Sequence, residues 1–294
     1  MKIEPVTIIG VGPAGIATAI QLKRYGIEPI LFEKDTIGGL LRNANLVENY
    51  PGFPHGISGL KLADLFEKQL RGSSIEVLFE EVIKVDLEDE LFVVETSKRV
   101  LYSKIVVVAS GTKPMKFTAF EIPEKVRDKI LYEICSILKV KKKKIVIVGA
   151  GDAAFDYALN LVKNNEVVIL SRREKVKCLP LLWERAKTSP RIAYYENTKI
   201  SRIVSDSSKG IFLECIKGGK ISGFYAHYLI FAIGREPQLD FLSERLKKNV
   251  REMEKKGTLY FVGDVANRDT RQAAIALGEG IMAGMKIYRK LKEA

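Results

Sequence analysis

Val6-Thr7-Ile8-Ile9-Gly10-Val11-Gly12-Pro13-Ala14-Gly15 and, much later, Ile145-Val146-Ile147-Val148-Gly149-Ala150-Gly151-Asp152-Ala153-Ala154 decide the fold of this chain. Each stretch is an apolar run that ends in a glycine-rich turn and passes directly into residues with helical spacing. An apolar run without alternation is the pattern of a strand buried on both faces of a parallel sheet. The glycines let the backbone bend sharply and approach a pyrophosphate closely. The helix that follows offers free N–H groups and the positive end of its dipole to the phosphate charge. One such turn is weak evidence, because glycine is common. Two of them, each after a strand and each opening a helix, describe a chain that holds two nucleotides. The natural reason for holding two is to pass electrons between them.

Working outward from the first turn, helical spacing continues to Tyr25, and Pro29-Ile30-Leu31-Phe32 reads as a second strand ending at Glu33, which makes a βαβ unit. Residues 58–70 read as an amphipathic helix, and residues 75–101 as short alternating segments of a small antiparallel sheet before a strand over 105–109. The pattern restarts at Ile145, with a helix over 153–162, a strand over 167–170, a helix near 181–187, β segments between 192 and 216, and a strand over 228–233. A helix near 241–247, a strand over 259–262 and a long helix over about 271–291 complete the chain. Gly and Pro punctuate two similarly built strand ends, at 111–114 and 234–237. The expected fold is therefore α/β, with two Rossmann-like dinucleotide-binding domains, the second inserted into the first. Residues 1–114 and 235–294 form one domain and residues 115–234 the other.

Composition sets the bounds. At 294 residues there is room for two domains of ordinary size, and 47% hydrophobic with 29% charged residues is the composition of a folded water-soluble chain. The charge-free stretch 221–234 is too short and too polar to span a bilayer, and no charged-then-apolar leader precedes the first strand, so no membrane partner is expected. Cys135, Cys178 and Cys215 are widely spaced and odd in number; they form neither a disulfide framework nor a zinc site, and the cytoplasm is the natural compartment. Two histidines argue against a histidine-ligated metal centre. The net charge of +12 has a bland reading, a lysine-rich solvated surface, and a functional one, attraction of acidic partners such as small electron carriers. Nucleic acid is disfavoured, because the run Lys141-Lys142-Lys143-Lys144 feeds straight into the strand at Ile145.

The strand ends carry the nucleotide chemistry. Glu33 stands where a carboxylate accepts hydrogen bonds from ribose hydroxyls. The corresponding strand of the second unit ends at Ser171-Arg172-Arg173, with Lys177 four residues on and no acidic side chain at the strand end. Cations there suit a 2′-phosphate, and a free 2′-hydroxyl would lack its carboxylate partner. NADPH is favoured over NADH.

With these motifs in view, the chain resembles the low-molecular-weight thioredoxin reductases and their relatives, the thioredoxin-reductase-like ferredoxin–NADP reductases. The resemblance spans nearly the whole chain. Val47-Glu48-Asn49-Tyr50-Pro51-Gly52-Phe53-Pro54 is similar to the family's flavin-side loop, and Ala109-Ser110-Gly111-Thr112 to its ATG-type strand end. Ser171-Arg172-Arg173…Lys177 is similar to its HRRxxxR phosphate clamp, with Ser for His and Lys for the last Arg. Ala232-Ile233-Gly234-Arg235 resembles its second strand-end motif, Phe261-Val262-Gly263-Asp264-Val265 its GD motif, and Arg271-Gln272-Ala273 its RQA turn.

The resemblance implies FAD in the outer domain, NADPH in the inserted one, and a homodimer. FAD would be held by Gly10, Gly12, Pro13, Ala14, Gly15, Glu33, Gly39, Leu40, Asn49, Gly111, Gly263, Asp264, Arg271, Gln272 and Ala273. NADPH would be held by Gly149, Gly151, Asp152, Ala153, Arg172, Arg173 and Lys177. Asp264 would meet the ribityl–pyrophosphate region, and the Gln272-Ala273 backbone the flavin pyrimidine edge. A helix N-terminus there stabilises the negative charge of a reduced flavin.

Three departures bear on function. Where the family carries CxxC, this chain reads Leu131-Tyr132-Glu133-Ile134-Cys135-Ser136, so one thiol remains. The family's G-G-Q appears as Gly38-Gly39-Leu40, and the stretch 237–263 is short enough to lack a β-hairpin. The leading expectation is an NADPH-dependent, FAD-containing oxidoreductase without a dithiol relay, passing hydride from NADPH to FAD and electrons on to ferredoxin, another acidic protein, or a small molecule. One alternative is a thioredoxin or disulfide reductase that uses Cys135, which a lone thiol permits through a sulfenic acid or mixed disulfide. The other is a non-catalytic, nucleotide-binding redox sensor.

Overall fold

The computed structural model describes residues 3–205 and 210–293. The chain divides into two compact units. Unit 1 comprises Met1–Arg42, Val47–Lys113 and Glu236–Ala294; unit 2 comprises Asn43–Leu46 and Pro114–Arg235.

Unit 1 begins with β1 (Ile3–Ile9), α1 (Pro13–Arg24), β2 (Ile30–Glu33), α2 (Gly59–Gly72), β3 (Val77–Phe79), β4 (Val82–Glu88), β5 (Leu91–Thr96) and β6 (Val100–Val108). These strands form one sheet in the order β3-β2-β1-β6-β5-β4. β1, β2 and β3 run parallel and β1 pairs parallel with β6, while β4, β5 and the start of β6 make an antiparallel meander. The antiparallel part is the small sheet expected over 75–101, except that β3 joins the parallel side. α2 is set by Ser58, whose side chain accepts the Lys61 N–H at its start, and by Leu62, Ala63, Phe66 and Leu70 along one buried face.

The chain then crosses to unit 2 through β7 (Thr112–Pro114). Unit 2 contains β8 (Ile130–Leu131), β9 (Lys144–Val148), α3 (Asp152–Leu161), β10 (Glu166–Leu170), α4 (Pro180–Thr188) and β11 (Ile192–Tyr195). It continues with β12 (Thr198–Ser205), β13 (Ile211–Lys217), β14 (Lys220–Ala226) and β15 (Tyr228–Phe231). The order β11-β10-β9-β15-β8 is a wholly parallel sheet, and β12-β13-β14 is a separate antiparallel one. Ile145, Ile147, Phe155, Leu161, Val167 and Ile169 pack the strands onto α3, all essentially inaccessible to water. The lysine run before β9 is a tight turn: Lys142 is left-handed at φ 56°, and the buried Asn165 side chain donates to Val140 O and accepts from Lys143 N–H.

The return crossing, β16 (Arg235–Pro237), pairs with β7 as a two-stranded ribbon. Back in unit 1 come α5 (Glu244–Lys256), β17 (Leu259–Phe261) and α6 (Ala273–Glu293). β17 joins the sheet parallel to β6. α5 is much longer than the helix expected near 241–247. Ser243 caps it by accepting the Leu246 N–H, Leu246 and Met253 are buried while Val250 packs partly covered beside them, and Gly257 ends it in the left-handed region at φ 66°. The dense lysines and glutamates on the other faces hid that apolar stripe in the sequence.

Candidate functional site

In unit 1, Gly10 turns the chain out of β1 at φ 96°, and a Cβ there would lie 2.5 Å from the Ala109 carbonyl oxygen. A Cβ on Gly15 would lie 2.0 Å from the Gly10 carbonyl oxygen. Both positions therefore exclude a side chain, one by conformation and contact, the other by contact alone. Gly12 differs: nothing lies within 4 Å of where its Cβ would stand, so the backbone there faces open space that a ligand can enter. Pro13 occupies the first position of α1, where a missing N–H costs nothing, and Ala14 and Gly15 follow in the first turn.

Glu33 faces this turn. Its Oε2 accepts the Val11 N–H at 2.8 Å and its Oε1 the Asp35 N–H at 3.0 Å. Each carboxylate oxygen keeps a lone pair for a further donor. A cavity of about 70 Å³ opens beside Gly10, Glu33, Lys34, Val82 and Ser110. A larger cleft of about 330 Å³ lies by Glu254, Tyr260 and Lys286, but none of its lining residues belongs to either glycine-rich dinucleotide turn.

The remaining expected residues of unit 1 gather around the same turn. Gly39 would place its Cβ 3.6 Å from Gly12 Cα, so the short 3₁₀ turn Gly39–Asn43, with Leu40 on it, lies against the glycine loop. Gly263, at φ 76°, packs so closely on α1 that a Cβ would meet Ala14 Cβ at 2.9 Å. Asp264 follows in the turn Gly263–Val265, and Ala273 opens α6. Asn49 Nδ2 donates to Gln272 Oε1 at 2.9 Å, joining two expected positions that are far apart in sequence. Gly111 is left-handed at φ 64° and its carbonyl accepts the Gln238 N–H at 3.0 Å.

Several residues that shape this site carry no local sequence signal. Glu279 accepts the Gly263 N–H at 2.7 Å and the Asn267 amide at 2.8 Å, and the expected Arg271 joins them, its Nε donating to Asn267 O at 3.0 Å. Arg42, nearly inaccessible, donates to Ile37 O, Asp64 and Glu67 and so ties the 38–42 turn to α2.

Unit 2 repeats the construction. Gly149, at φ 147°, would place a Cβ 2.3 Å from the Ala232 carbonyl oxygen, the counterpart of Gly10 against Ala109. Gly151, like Gly12, has nothing within 4 Å of its would-be Cβ. Asp152 and Ala153 then open α3. Beyond β10, Ser171 is buried while Arg172, Arg173 and Lys177 are exposed. Ser171 Oγ accepts the Arg173 N–H at 3.1 Å and donates to the Arg173 carbonyl at 2.9 Å. The Lys177 N–H donates to Ala150 O at 2.8 Å and the Leu179 N–H to Asp152 Oδ1 at 2.7 Å, which folds the basic loop back onto the glycine turn. Cations and open backbone at one strand end suit a dinucleotide carrying an extra phosphate.

All three thiols are free. Cys215 is buried on β13, and burial pushes its thiol up to about 11. Cys178 is half-buried, its thiol raised by burial and by the Asp152 charge. Cys135 is exposed on the 3₁₀ turn Cys135–Ile137, where Asn43 Oδ1 accepts the Ile134 and Cys135 N–H groups at 3.1 and 2.9 Å. Beside it, the Glu133 carboxylate accepts from Asn43 Nδ2, Tyr157 Oη and Arg235.

Comparison with known proteins shows the family. The family model described as pyridine nucleotide-disulphide oxidoreductase matches residues 4–280. A thioredoxin reductase of Streptomyces clavuligerus is 30% identical, the match covering 98% of this chain and 94% of that protein. The thioredoxin reductase of Chlamydia pneumoniae is 28% identical over 97% of both chains. Among solved structures, Lactococcus lactis thioredoxin reductase in its FR conformation superposes with a TM-score of 0.85 at 25% identity, covering 99% of this chain and 100% of the other. Bacillithiol disulfide reductase from Bacillus cereus shares the fold, with a TM-score of 0.75 at 21% identity and 99% of each chain covered.

Proposed function

The chain belongs to the pyridine nucleotide-disulphide oxidoreductases, in their low-molecular-weight thioredoxin-reductase-like branch, and from that membership we propose an NADPH-dependent flavoprotein that delivers electrons to an external acceptor without a thiol relay of its own. The single observation that carries this reading is the supply of thiols. Cys135, Cys178 and Cys215 are all free, and the sequence holds no C-x-x-C, so no neighbouring pair is available to form a redox disulfide. A relay by thiol–disulfide exchange needs two such sulfurs.

FAD, when bound, would supply an acceptor for the NADPH hydride that can release electrons singly or in pairs. The chain's own residues hold and orient the two nucleotides. In unit 1, the Gly10–Gly15 turn takes the pyrophosphate, Glu33 the ribose, and the Asp264 turn with the start of α6 the far end of the cofactor. In unit 2, the Gly149–Gly151 turn and the backbone N–H groups of the first turn of α3, at Asp152 and Ala153, take the NADPH pyrophosphate. Arg172, Arg173 and Lys177 meet the 2′-phosphate there as charge-assisted hydrogen-bond donors. The acceptor is an acidic protein of the ferredoxin kind, favoured by the +12 charge, with small molecules as the second choice. The assembly is a homodimer, for which Ile275, Ile281, Met282 and Met285 on α6 supply exposed apolar side chains.

A disulfide reductase working through Cys135 is the competing reading, favoured by the exposure of that thiol. The test is anaerobic bleaching of the flavin by NADPH, then addition of ferredoxin or thioredoxin, on wild type and Cys135→Ser. Ferredoxin turnover that survives the substitution supports the proposal. Thioredoxin turnover that disappears with it supports the competitor.

A further inference from the structure

Asp152 poses an electrostatic puzzle. It is the first residue of α3, directly after the turn that leaves Gly151 open, so it places a negative charge at the helix end where a pyrophosphate is expected. A negative charge there repels the ligand. The helix dipole favours an anion at this end, but it would favour the phosphate equally. The side chain is nevertheless committed elsewhere: Oδ1 accepts the backbone N–H of Leu179 at 2.7 Å, across the mouth of the basic loop.

That loop is anchored at several points, among them the Asn197 N–H, which donates to Arg173 O at 3.3 Å. Ser171 Oγ closes a turn around Arg172 through the Arg173 N–H and carbonyl. The Lys177 N–H is held by Ala150 O at 2.8 Å. The Leu179 N–H is held by Asp152. Of these, the last is the one with a carboxylate acceptor, the strongest class among them. It is also the anchor that fixes the end of the loop to the glycine turn. A loop without this last anchor would fray between Lys177 and α4, and ordering that end at each binding event would be subtracted from the affinity gained by the extra phosphate.

We propose that Asp152 is a positioning residue for the phosphate clamp: through Leu179 it presets the loop 171–179, and it thereby sets the preference for the phosphorylated nicotinamide dinucleotide over the unphosphorylated one. This rests on the NADPH reading of Arg172, Arg173 and Lys177. Asp152 gives up some attraction for any pyrophosphate and gains discrimination between two of them.

The experiment compares NADP⁺ and NAD⁺ dissociation constants by calorimetry on full-length wild type, Asp152→Ala, Asp152→Asn and Arg172→Ala/Arg173→Ala. The ratio of the two constants, measured on one preparation, does not depend on the fraction of protein folded. Asp152→Ala lowers the NADP⁺ preference about ten-fold. Asp152→Asn keeps an oxygen acceptor for the Leu179 N–H, so it retains the preference while binding both dinucleotides more tightly. An Asp152→Ala protein with the wild-type ratio overturns the inference alone. Wild type that binds NAD⁺ as tightly as NADP⁺, with a ratio unmoved by the double arginine change, overturns the clamp reading and the inference with it.

Discussion

The Glu33 carboxylate reaches back across the first glycine turn and accepts the Val11 N–H at 2.8 Å. The residue proposed to read the ribose thus also holds the loop that cradles the pyrophosphate. Removing it takes away a ligand contact and leaves a loop N–H without its acceptor, two losses that fall on one cofactor.

Glu33→Ala should therefore weaken FAD retention by at least about ten-fold, since a hydrogen bond to a charged group contributes roughly 1.5–3 kcal/mol. Glu33→Gln keeps an acceptor oxygen and should fall between the two. Flavin absorbance after dialysis, and the dissociation constant on reconstitution, measure both. Equal retention in wild type and Glu33→Ala would remove Glu33 from the cofactor site.

Changing Arg172 and Arg173 together to Ala should erase the preference of flavin reduction for NADPH over NADH. Each exposed charge-assisted contact is worth roughly ten-fold in affinity. The readout is kcat/KM for each dinucleotide, because the lost contacts involve only the 2′-phosphate. A double variant that still prefers NADPH would assign the discrimination to other residues.

Asp156 should give unit 2 a pH-dependent stability. Its Oδ2 accepts the Asn45 N–H at 2.9 Å, but burial dominates and pushes its carboxyl up to about 6, with the Asp152 charge adding and Lys163 opposing. A raised carboxyl contributes its stability at low pH and loses it as pH rises through the folded value. The wild-type melting temperature should thus fall by several degrees between about pH 4 and pH 6, from the ordinary carboxyl value up to the raised one. Asp156→Asn, which cannot ionise, should lack this fall. Parallel melting profiles for the two proteins would contradict the burial argument.

How much of this was legible beforehand follows from where each signal resides. The glycine turns, Glu33 at the end of β2 and the basic residues after β10 announce themselves locally, because each is dictated by the conformation or charge of its own few residues. The two-unit architecture follows from them. Glu279 behind Gly263, Arg42 behind Gly39 and the Asp152–Leu179 contact are invisible in sequence, since each depends on elements brought together only by the fold. α5 was underread for another reason: three apolar positions, Leu246, Val250 and Met253, are too sparse a stripe among so many charges for periodicity to find its end.

Turnover with an acidic protein acceptor should fall steeply as ionic strength rises. A chain carrying +12 attracts an anionic carrier over a distance that salt shortens, to about 10 Å at 0.1 M. Steady-state ferredoxin reduction across a salt series reads this directly. Turnover indifferent to salt would remove the electrostatic argument and favour small-molecule acceptors.

Counting electrons decides whether the flavin has a thiol partner. An anaerobic titration with dithionite, followed by flavin absorbance, gives the number of reducing equivalents each chain stores. A flavin alone takes about one two-electron equivalent, whereas a flavin coupled to a redox disulfide takes about two. A flavin without a redox disulfide should bleach completely after about one equivalent per FAD, in wild type and in Cys135→Ser alike. Uptake of about two equivalents by the wild type would contradict a flavin without a thiol partner.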